Sequence, residues 1–218
     1  LGPILVLPQL GVDGELFAMR DGSAMRRSLG LGDYVIGFAG RLVPEKGLRV
    51  LLRALDDFEG EFDLLLIGRG SLETEIRQWG SGRPDGQRVH LHPPVPHNEI
   101  AALMNTMDVF VLPSLTTSFW KEQFGHVLVE AMASQVPVVG SDSAEIPSVI
   151  ADAGCVVPEA DPRSLRDVLQ RLASDSALRA DLAARGRARA LEKYTHTEIA
   201  RQMLAFCHDL TPGEYHGY

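Results

Sequence analysis

Short, continuously apolar segments alternate with amphipathic segments as far as Val157, and this alternation restricts the fold more than any other feature of the chain. Strands that are apolar on both faces are typical of a parallel sheet covered by helices on both sides. The pattern therefore predicts an α/β domain with a doubly wound, mostly parallel, Rossmann-like sheet. The predicted strands are Ile4–Leu7, Tyr34–Ala39, Phe62–Ile67, Val89–Leu91, Val109–Leu112, Val136–Val139 and Cys155–Val157. The predicted helices between them are Leu48–Asp57, Leu72–Trp79, Asn98–Met107, His126–Ala133 and Ile146–Ala151.

The sequence after Asp161 shows helical patterns alone. Asp161 is a predicted N-cap followed by proline at the first helical position, and Ala177–Leu191 forms a second predicted helix. Thr195 and Glu198 have the spacing of a capping box that opens a third helix. The apolar stripe of that helix consists of Ile199, Met203 and Phe206. We expect this stripe to pack onto a neighbouring chain or to fold back, so that it supports self-association.

These patterns divide the 218 residues into four parts. Residues 1–14 are expected to form an interdomain linker or first strand, and residues 15–193 the Rossmann-like domain. Residues 194–210 form a predicted crossover helix, and residues 211–218 a frayed tail. Because the first residue is leucine, the chain is expected to be a fragment or a processed product.

Composition excludes several classes of protein. The net charge of −8 lacks the basic excess of a nucleic-acid binder. The two cysteines, Cys155 and Cys207, have no metal or redox spacing and favour a reducing compartment. No apolar run is long enough to cross a membrane, and there is no signal peptide. The predicted location is therefore the cytoplasm.

The loop after the strand Tyr34–Ala39 carries two cations between glycines. Arg41 and Lys46 lie five residues apart within Gly40–Gly47, directly before a predicted helix. Ligands of doubly wound sheets bind beyond the carboxyl ends of the strands, and a diphosphate needs positive charge and close backbone approach. Taken alone, the loop is equally well interpreted as a solvated surface turn.

Two acidic residues flank the start of the predicted helix His126–Ala133. Gly125 marks the start of that helix, whose free backbone N–H groups favour an anion. Glu122 precedes it, and Glu130 lies inside it among apolar neighbours, where a purely exposed role is less natural. A carboxylate accepts two hydrogen bonds from a vicinal diol such as that of ribose. The segment is therefore predicted to bind a sugar and a phosphate group.

Two weaker patterns are discounted. Gly68-Arg69-Gly70 begins like a dinucleotide fingerprint, but Glu73 stands where the third glycine belongs, and a tight turn explains the motif. His90, His92 and His97 lack an acidic partner at a matching spacing. They are interpreted as strand-edge histidines rather than a metal site.

Taken in order along nearly the whole chain, the motifs resemble the carboxyl-terminal domain of glycosyltransferase family 4 (group 1), retaining enzymes of the GT-B fold. Glu122 and Glu130 match the E-x7-E signature of that family. The other matching segments are Pro8–Asp13 (PNGVD, with one extra residue), Gly40–Gly47 (GRLxxxKG), Leu66–Gly70 (IVGdG), Pro137–Val139 and Ile146–Ile150 (ggxpEvI).

The resemblance implies roles for individual residues. Arg41 and Lys46, in the loop that starts at Gly40, would bind the diphosphate and stabilise the leaving nucleotide. Glu130 would hold the ribose hydroxyls, while Glu122 would position the donor sugar rather than act as a nucleophile. The resemblance also implies backbone contacts to the donor and its base from Phe124, Gly125, His126, Val127 and Val95. It implies no bound metal and no cofactor.

The resemblance also implies a partner. The acceptor would be read by an amino-terminal domain that is absent from this sequence, so the fragment is expected to bind donor weakly and transfer nothing. Any peripheral link to a membrane would come through that domain. Two departures stand out: Gln135 replaces a glycine after the helix, and Pro93-Pro94 replaces one before Val95.

Two other interpretations stay open at this point. A sugar-nucleotide epimerase or a phosphorylase of the same fold would also carry a phosphate loop. A non-enzymatic α/β binding module would leave Arg41, Lys46, Glu122 and Glu130 scattered over the surface.

Overall fold

A computed structural model describes residues 3–8 and 10–210. At its centre is a six-stranded sheet in which every recorded pair of neighbouring strands is parallel, with the spatial order β3-β2-β1-β4-β5-β6. The strands are β1 (Val35–Ala39), β2 (Phe62–Ile67), β3 (Gln87–His92), β4 (Val109–Leu112), β5 (Val138–Ser141) and β6 (Cys155–Val157). The prediction of a doubly wound parallel sheet is confirmed.

Helices connect the strands and extend the carboxyl-terminal end of the domain. They are α1 (Ser23–Leu29), α2 (Leu48–Asp56), α3 (Glu73–Ser81), α4 (His97–Met104), α5 (His126–Ala133), α6 (Ile146–Ile150), α7 (Pro162–Ser174), α8 (Ser176–Lys193) and α9 (His196–Leu210). A short 3₁₀ turn, Pro44–Lys46, precedes α2. No helix within the described ranges is both long enough and apolar enough to cross a membrane.

The core lies on both faces of the sheet. Every residue of β1, β2 and β4 is buried, and apart from Asp63 in β2 these strands are continuously apolar in sequence, as burial on both faces requires. Helix α2 buries Leu48, Leu51 and Leu55 against one face. Helix α8 crosses α5 closely, because a Cβ at Gly186 would lie 3.2 Å from Cγ of Met132. Helix α5 is therefore held between the sheet and α8, and its position is fixed by packing on two sides.

The strand order reverses between β1 and β4. The chain runs outward from β1 to β2 and β3, then returns to place β4 on the other side of β1. Ile36 pairs with Val109 and Gly37 with Phe110, so the two strands end side by side. The loops after β1 and β4 both begin at this point, and the crevice beside them is where open α/β sheets bind ligands.

Two helix-capping predictions can be compared with the structure. The Asp161 side chain accepts hydrogen bonds from the N–H groups of Arg163 and Ser164, so the predicted N-cap of α7 is confirmed. Thr195 Oγ1 accepts from the N–H of Glu198 at 3.1 Å. The Glu198 carboxylate, however, bonds to neighbouring side chains of α9 instead of closing a reciprocal capping box.

One predicted strand is wrong. Ile4–Leu7 is irregular, and Ile4 and Val6 are 80% and 87% exposed. An apolar run becomes a strand only where another strand offers backbone partners, and no described strand pairs with this segment. The strand predicted at Val136–Val139 begins two residues later, because the N–H of Val136 closes the end of α5 by bonding to the Ala131 carbonyl. The tail predicted as frayed, residues 211–218, lies outside the described residues.

Candidate functional site

The loop after β1 is pressed against the end of β4. Gly47 ends the 3₁₀ turn with φ 71°, and a Cβ there would fall 1.7 Å from the carbonyl oxygen of Pro113. Only glycine allows both this backbone angle and this approach. The N–H of Leu115 also donates to the carbonyl of Glu45 at 2.8 Å. These contacts fix Lys46 at the crevice between the two loops.

Lys46 and Glu122 form a partly buried ion pair in this crevice. Lys46 Nζ lies 2.6 Å from Glu122 Oε2, and the side chains are 16% and 11% exposed. Ser114, just after β4, donates from Oγ to the same oxygen at 2.9 Å. The Lys46 ammonium also lies 4.9 Å from the ring centroid of Trp120. A lysine and a carboxylate separated by 76 positions in sequence are thus held in contact.

Arg41 lies at the rim of the same crevice and is held less tightly. Its side chain is 62% exposed, and its guanidinium lies 3.4 Å from Glu45 Oε1. Arg41, Lys46, Trp120 and Glu122 line a cleft of about 540 Å³. The cleft therefore contains Lys46, a cation held by an ion pair, together with the more exposed cation Arg41 and a second lysine, Lys121.

Helix α5 begins beside this cleft. Gly125 is its N-cap in the left-handed region, with φ 74° and ψ 49°. The N–H groups of the first turn, which include those of His126 and Val127, have no partners within the helix and favour an anion. Phe124 and His126 line a second cleft of about 630 Å³ that shares Glu122 with the first.

Glu130 lies one turn further along α5 and is 5% exposed. Its Oε1 is 2.7 Å from His97 Nε2 and 3.1 Å from His126 Nδ1. His126 Nε2 is 3.0 Å from the carbonyl oxygen of Gly11. The hydrogen bond to Glu130 raises the pKa of His126, although partial burial opposes this. Glu130 is thus a buried carboxylate whose two partners are both titratable.

The remaining predicted site residues lie near these clusters. Gly40 is exposed at the end of β1, and its N–H donates to the carbonyl of Ile67 at 2.9 Å. Val95 lies in the loop between β3 and α4, partly buried against the core. It precedes by two positions His97, the residue that contacts Glu130. Arg41, Lys46 and Glu122 therefore line one cleft beside the loops after β1 and β4, and Glu130 lies on α5, the helix that begins beside that cleft.

Sequence reasoning missed several contacts. His97 was grouped with His90 and His92 as a strand-edge histidine, and this is wrong, because His97 is the first residue of α4. His90 and His92 do lie in the edge strand β3. Ser114 had a usable signal, since it directly follows a buried strand at the crevice. His97 had none, since its contact with Glu130 spans 33 positions.

The glycines of the Gly68-Arg69-Gly70 motif have a packing role. A Cβ at Gly68 would lie 1.9 Å from the carbonyl oxygen of Gly40, and one at Gly70 would lie 2.2 Å from that of Leu42. The loop after β2 therefore packs directly on the loop after β1. This close approach accounts for both glycines without a dinucleotide.

Comparisons with known proteins identify the family of the chain. Residues 23–189 match the family described as glycosyl transferases group 1. The chain is 36% identical over 180 residues to a phosphatidyl-myo-inositol mannosyltransferase of Mycobacterium leprae, covering 80% of this chain and 46% of that protein. The chain thus spans about half the length of the curated relatives it matches.

Solved structures show the same fold. HepE of Anabaena, solved in complex with UDP, superposes with a TM-score of 0.79 at 23% identity, covering 91% of this chain and 56% of that one. The carboxyl-terminal domain of a group 1 family glycosyl transferase from Francisella tularensis superposes with a TM-score of 0.71 at 27% identity, covering 85% of this chain and 100% of that one. The fold is that of one domain of a GT-B protein.

Proposed function

The chain belongs to the glycosyl transferases group 1 family, and from this premise we propose that it is the domain that binds a nucleoside-diphosphate sugar for a retaining transfer. The observation that carries the proposal is the Lys46–Glu122 pair at the point where the strand order reverses, with Arg41 on the rim of the same cleft. A cation held beside a carboxylate and a helix N-terminus suits a ligand that joins a diphosphate to a polyol.

The proposed roles follow from these positions. Lys46 and Arg41 bind the diphosphate and stabilise the negative charge that develops on the leaving nucleotide. The first turn of α5, from Gly125, provides N–H groups to the distal phosphate and the sugar. The backbone near Val95 contacts the base, and Glu130 accepts hydrogen bonds from the ribose hydroxyls. The structure of HepE with UDP supports a nucleotide ligand in a domain of this fold.

Glu122 is proposed to position the donor rather than to attack it. Its Oε2 already contacts the ammonium of Lys46 and the hydroxyl of Ser114. A carboxylate held in this way orients a cation and a sugar hydroxyl, and it is poorly available as a nucleophile. We propose no metal for the transfer step, because Lys46 and Arg41 supply the positive charge that the leaving group needs.

We further propose that a second domain binds the acceptor. The relatives matched by this chain are about twice as long as the segment it covers. Helix α9 leaves Met203 and Leu204 exposed at 53% and 65%, which offers an apolar face to another domain or chain. The transfer activity, the sugar and the acceptor belong to the whole protein.

The test is calorimetric titration of the chain with UDP, GDP and ADP. The chain should bind at least one of them, and the double variant Arg41→Ala/Lys46→Ala should lose about 3–6 kcal/mol of binding free energy, at about 1.5–3 kcal/mol for each charge-assisted contact. The sequence contains three lysines, and Lys193, at the end of α8, provides the matched control. Lys193→Ala should bind as the wild type does.

Two results would contradict the proposal. One is a folded wild-type chain that binds none of the three nucleotides. The other is a double variant whose affinity equals that of Lys193→Ala, since the phosphates would then be bound elsewhere.

A further inference from the structure

Three side chains with metal-binding atoms converge between α4 and α5. His97 Nε2, His126 Nδ1 and Glu130 Oε1 all lie within 4.8 Å of one another. His126 and Glu130 are four residues apart on α5 and therefore share one face of the helix. His97 approaches from the first turn of α4. Within residues 3–8 and 10–210, this is the one group of three or more His, Cys, Asp or Glu side chains with this geometry.

The distances are close to those of a first coordination sphere. Glu130 Oε1 lies 2.7 Å from His97 Nε2 and 3.1 Å from His126 Nδ1. In a tetrahedral zinc site with bonds of about 2.0–2.1 Å, two ligand atoms lie about 3.3–3.4 Å apart. To admit the ion, the contact with His97 would widen by about 0.6–0.7 Å and that with His126 by about 0.2–0.3 Å. Two imidazoles and one carboxylate form a donor set that zinc sites use with an open fourth position.

Outer contacts orient both imidazoles. The Nε2 of His126 lies 3.0 Å from the carbonyl oxygen of Gly11, which can accept a hydrogen bond from its N–H. In the neutral ring, Nδ1 then carries the lone pair and faces the cluster. The ring of His97 contacts that of the fully buried Phe17, with centroids 5.2 Å apart. The carbonyl contact of His126 is of the kind that orients a metal-binding histidine, whereas His97 is held by ring packing.

The cluster is open on one side. The side chain of His97 is 63% exposed and that of His126 is 31% exposed, whereas that of Glu130 is 7% exposed. An ion can therefore enter past His97 while the carboxylate anchors it from beneath. The remaining coordination position is open to water.

We propose that His97, His126 and Glu130 form a binding site for a divalent transition metal, with Zn²⁺ as the best match to the donor set. The site has a consequence for the donor, and this part rests on the proposed function. Glu130 is the carboxylate assigned to the ribose hydroxyls, and an ion bound to its Oε1 takes one of the two oxygens that would accept hydrogen bonds from a vicinal diol. Zn²⁺ therefore competes with the nucleotide and inhibits donor binding.

The first experiment measures the site without a nucleotide. The chain is stripped with EDTA, dialysed and titrated with Zn²⁺ against a chromophoric chelator, and with Co²⁺ by visible absorption. One equivalent should bind, and Co²⁺ should give the intense bands of a four-coordinate site. His97→Ala and His126→Ala should each weaken Zn²⁺ binding by at least about 10–100-fold, the loss typical even of an outer-shell partner. His92→Ala, in the neighbouring strand β3, is the control and should bind as the wild type does.

Two outcomes of the Zn²⁺ titration would contradict the metal site. No Zn²⁺ binding by the wild type, or equal binding by His97→Ala and the wild type, would overturn the site. His97 is exposed, so its replacement by alanine is expected to leave the fold intact, and circular dichroism of each variant checks this. Unchanged circular dichroism with lost Zn²⁺ binding supports coordination.

The second experiment measures competition. UDP affinity is titrated with and without saturating Zn²⁺, and Zn²⁺ affinity with and without UDP; each should weaken the other by the same factor. The Zn²⁺ effect should disappear in His97→Ala, whereas chelation of Zn²⁺ by the UDP phosphates would persist there. Zn²⁺ binding without any effect on UDP would overturn the competition. Failure of UDP, GDP and ADP alike to bind would overturn the proposed function, while the Zn²⁺ titration would still decide the metal site.

Discussion

Two buried carboxylates of this fold, Asp63 and Glu130, have similar exposure and different partners. Asp63, on β2, is 1% exposed and accepts two hydrogen bonds from Arg88, one from His90 and one from the N–H of Gly32. Glu130, on α5, is 5% exposed, and the described contacts of its carboxylate are with His97 and His126. One carboxylate has a permanent cation and a backbone donor, whereas the other has only titratable side chains.

The different partners of Asp63 and Glu130 distinguish a carboxylate buried to stabilise the fold from one buried at a candidate ligand site. The hydrogen bonds of Asp63 connect the edge strand β3 to β2 and to the turn before β1. Losing them would leave a buried charge without hydrogen-bond partners. In the proposed roles, the histidine contacts of Glu130 are exchanged for ribose hydroxyl groups, or are opened by a metal ion that all three side chains bind. A buried acid with exchangeable partners is a better indicator of a ligand site than burial alone.

The largest expected effect on stability comes from Asp63. Asp63→Asn should lower the free energy of unfolding by about 2–3 kcal/mol, less than a fully buried pair because the Arg88 side chain is 52% exposed. Urea unfolding measures this difference. The matched control is Glu75→Gln, which removes the exposed partner of Arg49 and should cost less than about 1 kcal/mol. Equal losses of unfolding free energy in the two variants would show that Asp63 stabilises the fold no more than an exposed ion pair does.

Glu130→Gln should reduce nucleotide affinity more than stability, the reverse of what is expected for Asp63→Asn. The amide keeps hydrogen bonds with the histidines, so stability should fall by less than about 1 kcal/mol. UDP affinity should fall about 10–100-fold, because a charge-assisted bond to the ribose is lost. Calorimetry measures the affinity, and Asp63→Asn serves as the control that leaves the nucleotide contacts intact. If Glu130→Gln loses stability and keeps its affinity, the contrast between the two carboxylates is wrong.

Lowering the pH should reduce the contribution of Asp63 to the free energy of unfolding. Burial alone would raise the pKa of Asp63, but the hydrogen bonds from Arg88, His90 and Gly32 outweigh it and hold that pKa well below its usual range. A lowered folded-state pKa gives stability that is fully present above the unfolded value of about 3.9 and is lost as pH falls through the folded value. The stability difference between the wild type and Asp63→Asn should therefore be largest above about pH 4 and shrink below it. Urea unfolding from pH 7 to pH 2 tests this; a difference that grows below pH 4 would contradict it.

The smallest expected effect concerns the end of the helix that carries Glu130. Gln135 has φ 58° after α5, a backbone angle that favours glycine. Gln135→Gly should raise the free energy of unfolding by up to about 1 kcal/mol. Thermal unfolding measures the gain. UDP and Zn²⁺ affinities should stay unchanged, and a change in either would mean that the carboxyl-terminal end of α5 influences the position of Glu130.

Local pattern was enough to predict most of the sheet. The strands β2, β4 and β6 have the predicted bounds, and in β2 and β4 burial on both faces accounts for the mostly apolar sequence. Helix α1 was not predicted, since none of its residues is buried. It is held instead by Arg26, which bonds to the carbonyl of Thr106 and to the carboxylate of Asp108. Such contacts join distant parts of the chain and leave no periodic signal.

The site was predictable in its residue types and not in its pairings. Arg41, Lys46 and Glu122 could be selected because each follows a strand or precedes a helix at the predicted crevice. The contact between Lys46 and Glu122 depends on how closely the loops after β1 and β4 approach, which local pattern does not report. His97 reaches Glu130 because the loop after β3 starts α4 beside α5, and only the folded chain shows this.

Helix α5 also fixes the distance between two parts of the candidate site. It joins the anion-binding end at Gly125 to the carboxylate of Glu130 through a rigid backbone, at a separation of about 7.5 Å for five residues of rise. A ligand that uses both ends must match that length. If the proposed roles hold, a nucleotide with one phosphate fewer or more would match the two ends less well. The rise of the helix would then contribute to selecting the number of phosphates, without a side chain that recognises each one.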